Sequence, residues 1–267
     1  PNTIRNHLMT FRVFVRWCEA NEYVTPGTAD KIRIPTVRQS DRSRDEHVKY
    51  EVMQDIIGAL HKYEYGTLRC LTVHLLWHTG MRMGSARALD LDDWHPQEQY
   101  LTVRHRPETG TPLKREYNGE RNISILDSRL SRLLEDWIQF QRPDITDDYG
   151  RDPLLVTSQG RASKNTIRNA AYRATQPCEY TGHCPHEEEK SSCKFRDADH
   201  ASKCPSSVSP HPLRRSAITH HLNQDVPIEL ASERMNVSVD TLEEHYDARS
   251  QEEKRQVRRR RLENMDF

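Results

Sequence analysis

Apolar positions recur at helical spacing through most of this chain, and strand-like alternation is confined to one stretch near its middle. In residues 2–20, Ile4, Leu8, Phe11 and Val15 fall within about 60° of one another on a helical wheel. This predicts a helix whose stripe faces a core, with Arg5, Arg12 and Arg16 as a basic flank suited to DNA. From about 36 to 47 the chain has almost no apolar content and reads as a linker. Two helices are predicted next, over about 48–64 and 67–79, with Gly80 as a stop signal. The runs YLTVRH and RNISIL alternate as strands around a polar loop, PETGTPLKREYNGE. Asp127 then caps an amphipathic helix built on Leu130, Leu133, Leu134, Trp137 and Ile138, and Pro143 lies just beyond its end. Further helices are predicted at 162–174, 211–223 with Pro212 at its first position, 227–235 and 239–247. The expected fold class is mainly α with a small antiparallel β-sheet.

Length and charge refine this picture. With 267 residues there is material for one large domain and a fragment. Apolar content of 34% is low and charged content of 30% is high, yet the helical stripes argue against general disorder. The net charge of zero is not the usual footprint of a nucleic-acid binder. The charges are nonetheless sorted: Arg258 to Arg261 are contiguous, while acids gather at 90–93, 147–148 and 187–189, so a basic face is compatible with a neutral total. No apolar run has the length of a membrane span and no secretory pattern opens the chain, which predicts an intracellular, cytoplasmic protein.

Four of the six cysteines, Cys178, Cys184, Cys193 and Cys204, crowd into one polar insertion whose only large apolar residues are Tyr180 and Phe195. Such a segment needs a cross-link, and in a reducing compartment four thiolates on a structural zinc are expected ahead of disulfides. His183, His186 or His200 could replace one thiolate. Free thiols are the other reading. Cys18 and Cys70 lie on apolar helical segments and read as buried thiols.

One constellation carries chemistry. Breaking a phosphodiester requires a nucleophile, donors for the charge that grows on the phosphoryl oxygens, and a proton for the leaving oxygen. Tyr246 can attack, and Arg82 and Arg214 present planar forks that match phosphate geometry. His211 precedes Arg214 by three residues, so both share one helix face. The order HTGMRMG, HPLRR, then Tyr246 after DTLEEH resembles the active site of the tyrosine recombinases, the phage integrase family.

The resemblance implies a DNA breaking-rejoining fold and strand exchange through a 3′-phosphotyrosyl link, with no cofactor for catalysis. It also implies a homo-tetramer on double-stranded DNA attachment sites, associated with the nucleoid when bound. A lysine on the hairpin should protonate the 5′-oxygen, and Lys114 is the only one in that loop, where Arg106 and Arg115 are further candidates for DNA contact. By the same resemblance, residues 47–267 form the catalytic domain. Residues 1–46 are the C-terminal remnant of a SAM-like core-binding domain plus linker, its upstream part missing before Pro1. The stretch SKCPSSVSPHPLRRSAITHHL resembles archaeal members and implies a mobile element as the setting.

Two positions depart from the family pattern. Ser85 stands where an acidic residue is usual, and Val237 where a second His or a Trp is usual. His220, His221 or His245 are the candidate substitutes for the donor missing at 237. A non-catalytic DNA-binding regulator and a type IB topoisomerase-like relaxase are the alternative functions.

Overall fold

The computed structural model describes residues 2–36, 47–224 and 226–245, together with Glu252, Arg255, Gln256, Arg259 and Glu263. It divides into two compact units, Pro1–Glu46 and His47–Phe267.

The first unit is built on α1 (Asn2–Ala20) and a short turn at Ala29–Lys31. The turn is tied back to the helix where Ala29 N–H donates to Glu19 Oε1 at 2.7 Å and where Arg16 meets Asp30 at 3.8 Å. The expected core stripe is corrected here. Val15 is buried, but Ile4 and Phe11 are exposed, and Phe11, Phe14, Trp17 and Tyr23 form an exposed aromatic ladder. Helical spacing reports that a face is apolar; it does not report that the face is covered.

The second unit packs around α3 (Leu68–Thr79), in which all residues from Cys70 to Trp77 are buried. A helix apolar on every side must be surrounded, and α3 lies against α6 (Lys164–Ala174) and α8 (Pro210–Asn223), with α2 (Tyr50–Tyr63) and α5 (Ser128–Asp136) also packed on it. Thr67 caps its start by accepting from Cys70 N–H, and Gly80 ends it at φ 59°. Asp127 caps α5 as its sequence implies, accepting from Arg129 N–H at 2.8 Å. Beyond Asp136 the chain runs on as a π-helical turn, Trp137–Gln141.

Between the short α4 (Met83–Ala88) and α5 lies a three-stranded antiparallel sheet of β1 (Trp94–His95), β2 (Tyr100–Val103) and β3 (Arg121–Ser124). Leu101 pairs with Ile123 and Val103 with Arg121, so Leu101, Val103 and Ile123 face the core. A second hairpin of two-residue strands, β4 (Val156–Thr157) and β5 (Gly160–Arg161), precedes α6. After α6 come the single turn α7 (Pro177–Tyr180), then α8, α9 (Ile228–Met235) and α10 (Val239–His245). Helix α8 starts at Pro210, two residues earlier than Pro212 implied; a first-turn proline sacrifices no intrahelical bond.

The acidic run at 90–93 is not a surface patch. Asp93 is fully buried and Asp90 nearly so, and they meet Arg106, Arg151 and Arg161. Arg161 also bonds Asp147 at 2.6 Å, which ties the second hairpin to the loop that precedes it.

Candidate active site

Two arginines separated by most of the domain are held side by side by backbone carbonyls. Arg82 is the N-cap of α4, just past the Gly80 stop, and its Nη1 donates to Asn236 O at 2.7 Å. Arg214, only 4% exposed in α8, donates from Nη1 to Gly80 O at 2.6 Å and from Nη2 to Met235 O at 2.8 Å. Met235 ends α9 and Asn236 is its C-cap, so both guanidiniums meet the electronegative end of that helix. Gly80 is required by conformation and by space: a Cβ there would lie 3.0 Å from Met235 Sδ.

His211 sits one helical turn before Arg214. Burial pushes its pKa down, and Arg214, Arg215, Lys114 and Arg82 push it further. The imidazole is therefore neutral at neutral pH and able to accept a proton. Lys114 is exposed on the long loop between β2 and β3, and this loop is folded. Arg106 and Thr111 exchange backbone hydrogen bonds, Leu113 N–H donates to His105 Nδ1 at 2.9 Å, and a short helical turn closes it at Glu116–Gly119.

Arg82, Lys114, Arg115, His211 and Arg214 all line one open cleft of about 1030 Å³. Lys164, Arg168 and Tyr172 line it too, at intervals of four along α6, opposite the buried Ile167, Ala170, Ala171 and Ala174. Sequence reasoning missed these three and Asn236, although the i, i+4, i+8 polar stripe was a readable signal. Tyr246 lies outside the described residues, as do Arg258, Arg260 and Arg261; α10 is described up to His245, immediately before the tyrosine.

Several expectations need correction. Arg106, expected near DNA, is mostly buried in its own domain, gripping Asp93 through two hydrogen bonds of 2.7 and 3.0 Å and donating to Ala88 O. Arg12 is turned onto its own unit, donating from Nη2 to Ile32 O, while Arg5 is half-buried and Arg16 exposed. Arg115 does line the cleft, bonded to Asn236 Oδ1 at 3.2 Å.

Neither His220 nor His221 replaces the donor lost at Val237, for both line a separate cleft of about 290 Å³. His220 stacks on Tyr50 and Trp77, and His221 donates to Ala217 O, its pKa pushed down to about 4 chiefly by burial. The side chain of His245 lies outside the described residues. Val237 is buried in an apolar cluster with Ile218, Leu222, Ala231, Met235 and Leu242. Ser85 is buried as well.

The cysteine insertion brings Cys178 within electrostatic reach of Cys184 and Cys204. Cys178, Cys184, Cys193 and Cys204 are free thiols, and no three His, Cys, Asp or Glu side chains among the described residues converge to hold a metal ion. The cross-links are polar instead. Arg196 pairs with Glu179 at 3.1 Å, Gln176 donates to Phe195 O, Lys190 donates to Cys178 O, and Ser207 donates to Ala201 O and Cys204 O. No described helix is long and apolar enough to cross a membrane.

The phage integrase family model matches residues 46–253. A probable site-specific recombinase in the afa region of Escherichia coli is 29% identical over 182 residues, which is 66% of this chain and 58% of that protein; the chain thus spans little more than half of its length. Among solved structures, the Tn1549 transposon integrase in complex with transposon right-end DNA superposes with a TM-score of 0.67 at 13% identity, covering 98% of this chain and 79% of that one. A lambda integrase dimer bound to a COC′ core site gives a TM-score of 0.55 at 14% identity, covering 99% of this chain and 60% of that one. XerA recombinase gives 0.54 at 16%, covering 97% and 84%. These likenesses show a shared fold, and with the family model spanning the arginine, lysine and histidine segments, the chain belongs to the phage integrase family of tyrosine recombinases.

Proposed function

We propose that this chain is a site-specific recombinase that cleaves and rejoins double-stranded DNA. The observation that carries this reading is the convergence of Arg82, Lys114, His211 and Arg214, from three separated segments, on one open cationic cleft. Tyr246 supplies the nucleophile: its phenolic oxygen bonds to phosphorus as the P–O5′ bond breaks. Its proton passes to neutral His211, Lys114 protonates the departing 5′-oxygen, and the two guanidiniums hold the non-bridging oxygens. Rejoining reverses these steps with a second 5′-hydroxyl. Bond energy is conserved in the phosphotyrosyl link, so the chemistry runs without nucleotide or metal.

Exchange between two duplexes requires four copies, and a homo-tetramer on paired attachment sites is the assembly proposed. Residues 1–46 serve as the end of a DNA-clasping domain. The curated relative is bacterial, and the setting proposed is a mobile element without commitment to an archaeal one. With Val237 packed into an apolar cluster, one phosphate donor is lost, which typically costs about 10²–10³ in rate; turnover is slow.

The test is covalent capture. A pool of nicked suicide duplexes with randomised cores, incubated with the protein and then denatured, should yield a protein–DNA adduct from which the preferred site is sequenced. Tyr246→Phe should form no adduct while retaining affinity for that site. An adduct formed by the phenylalanine variant, or none by the parent protein on any pool, overturns the proposal.

A further inference from the structure

Asn236 joins the two halves of the cleft through one residue. It occupies the left-handed region at φ 51° and ψ 62°, caps α9 and is almost fully buried. Its backbone carbonyl receives Arg82 at 2.7 Å, while its side-chain Oδ1 receives Arg115, the residue after Lys114, at 3.2 Å. Its Nδ2 lies against the far end of the same loop, 3.2 Å from where a Cβ on Gly119 would be. The preceding carbonyl, of Met235, holds Arg214. Residues 235–236 therefore receive both guanidiniums through the main chain, and the Asn236 side chain reaches across to the lysine loop, beside a second tie in which Arg121 donates to both Arg234 O and Gly119 O at 2.8 Å.

We infer that Asn236 is a positioning residue for the general acid: its carboxamide, acting through Arg115 and Gly119, sets where Lys114 stands relative to the arginine-bound phosphate. This rests on the recombinase reading above. A general acid is effective only within hydrogen-bond reach of the oxygen it protonates. An exposed lysine on a long loop lacks that constraint unless the loop is tied to the phosphate-binding groups, and Asn236 is the tie that reaches the residue next to the lysine, while Arg121 holds the far end of the loop.

Asn236→Gly isolates the side chain, because glycine adopts the left-handed conformation readily and keeps the carbonyl that holds Arg82. Arg115→Ala removes the other partner from an exposed position. On the duplex selected by adduct formation, each variant should cleave about tenfold more slowly, a part of the about 10²–10⁴ that general acid catalysis contributes, and the double variant should be no slower than the worse single one. Asn236→Asp, which keeps an acceptor for Arg115, should recover most of the rate. The decisive arm replaces the bridging 5′-oxygen with sulfur, a leaving group that departs as thiolate and needs no proton. There Asn236→Gly, Arg115→Ala and Lys114→Ala should all approach the parent rate.

A defect in Asn236→Gly that persists on the sulfur substrate, or a normal rate on the oxygen substrate, overturns the inference while the recombinase reading stands. Absence of any adduct with the parent protein overturns both.

Discussion

Replacing Arg106 with alanine should damage the fold and spare DNA binding, the reverse of what its place in a basic hairpin implies. The side chain is 17% exposed and Asp93 beneath it is fully buried, with bonds of 2.7 and 3.0 Å between them and Asp90 at 3.3 Å. Burial alone would lower the guanidinium's pKa, but Asp93, Asp90 and Glu120 outweigh it and hold the group above its ordinary value. Removing Arg106 leaves Asp93 with the Asp90 N–H at 2.9 Å and, as its remaining described cation, only half-exposed Arg104 at 3.6 Å. Breaking one partner of a buried pair costs about 3–5 kcal/mol. In a domain of this size each kcal/mol lowers Tm by roughly 2–4 °C, so Arg106→Ala should melt roughly 6–20 °C lower. The comparison is Arg115→Ala, which should leave Tm nearly unchanged and reduce the slope of log affinity against log salt by about one phosphate contact. Differential scanning calorimetry and salt-dependent binding to the captured duplex measure both. The reasoning fails if Arg106→Ala melts normally, or if it changes the salt slope as Arg115→Ala does.

Cleavage by the free enzyme should hold its rate as pH falls to about 6.5 and decline only below that ordinary histidine value, since burial and four nearby cations keep His211 neutral. The same depression means the folded state binds fewer protons than the unfolded one, so stability due to His211 is present above the unfolded pKa and lost as pH falls through the folded one; His211→Gln should remove that acid-side loss in a pH series of melts. Because the cysteine insertion is held by polar contacts, purified protein should carry no stoichiometric metal and Cys193→Ser should melt within about 2 °C of the parent, well inside the effect of one lost kcal/mol. One zinc per chain, released by a chelator with a fall in Tm, would refute this.

The helices were legible where local chemistry agrees with the fold. Gly80, Asp127 and the first-turn prolines around His211 mark ends without reference to distant residues. Arg82, His211 and Arg214 were legible because their spacing is itself the signal, and the cleft they line confirms only that they meet. What escaped was non-local. Nothing in the run at 90–93 announces that Asp90 and Asp93 are buried against Arg106, Arg151 and Arg161, the last two about sixty and seventy residues on. The apolar stripe of α1 has the same period whether covered or exposed, and the two-residue strands β4 and β5 are too short for alternation to register. Four clustered cysteines fix a composition but no ligand geometry, and nothing in their spacing announces the polar contacts that hold the insertion among the described residues.

The departures at positions 85 and 237 become intelligible together once the anchors of Arg82 are considered. A carbonyl dipole orients an arginine without adding a formal charge beside it. Buried Ser85 contributes no charge, and Arg82 donates to the Asn236 carbonyl at the end of α9. Placing that carbonyl requires the left-handed turn at Asn236, and the turn is set by α9 packing its last residue, Met235, into the apolar cluster that Val237 completes. A histidine at 237 would return a donor to the phosphate but place a polar ring among Ile218, Leu222 and Leu242. Val237→His is then a trade between an added contact and the turn that holds both arginines. In this chain the apolar residue at 237 packs beside the turn whose carbonyls receive both arginines.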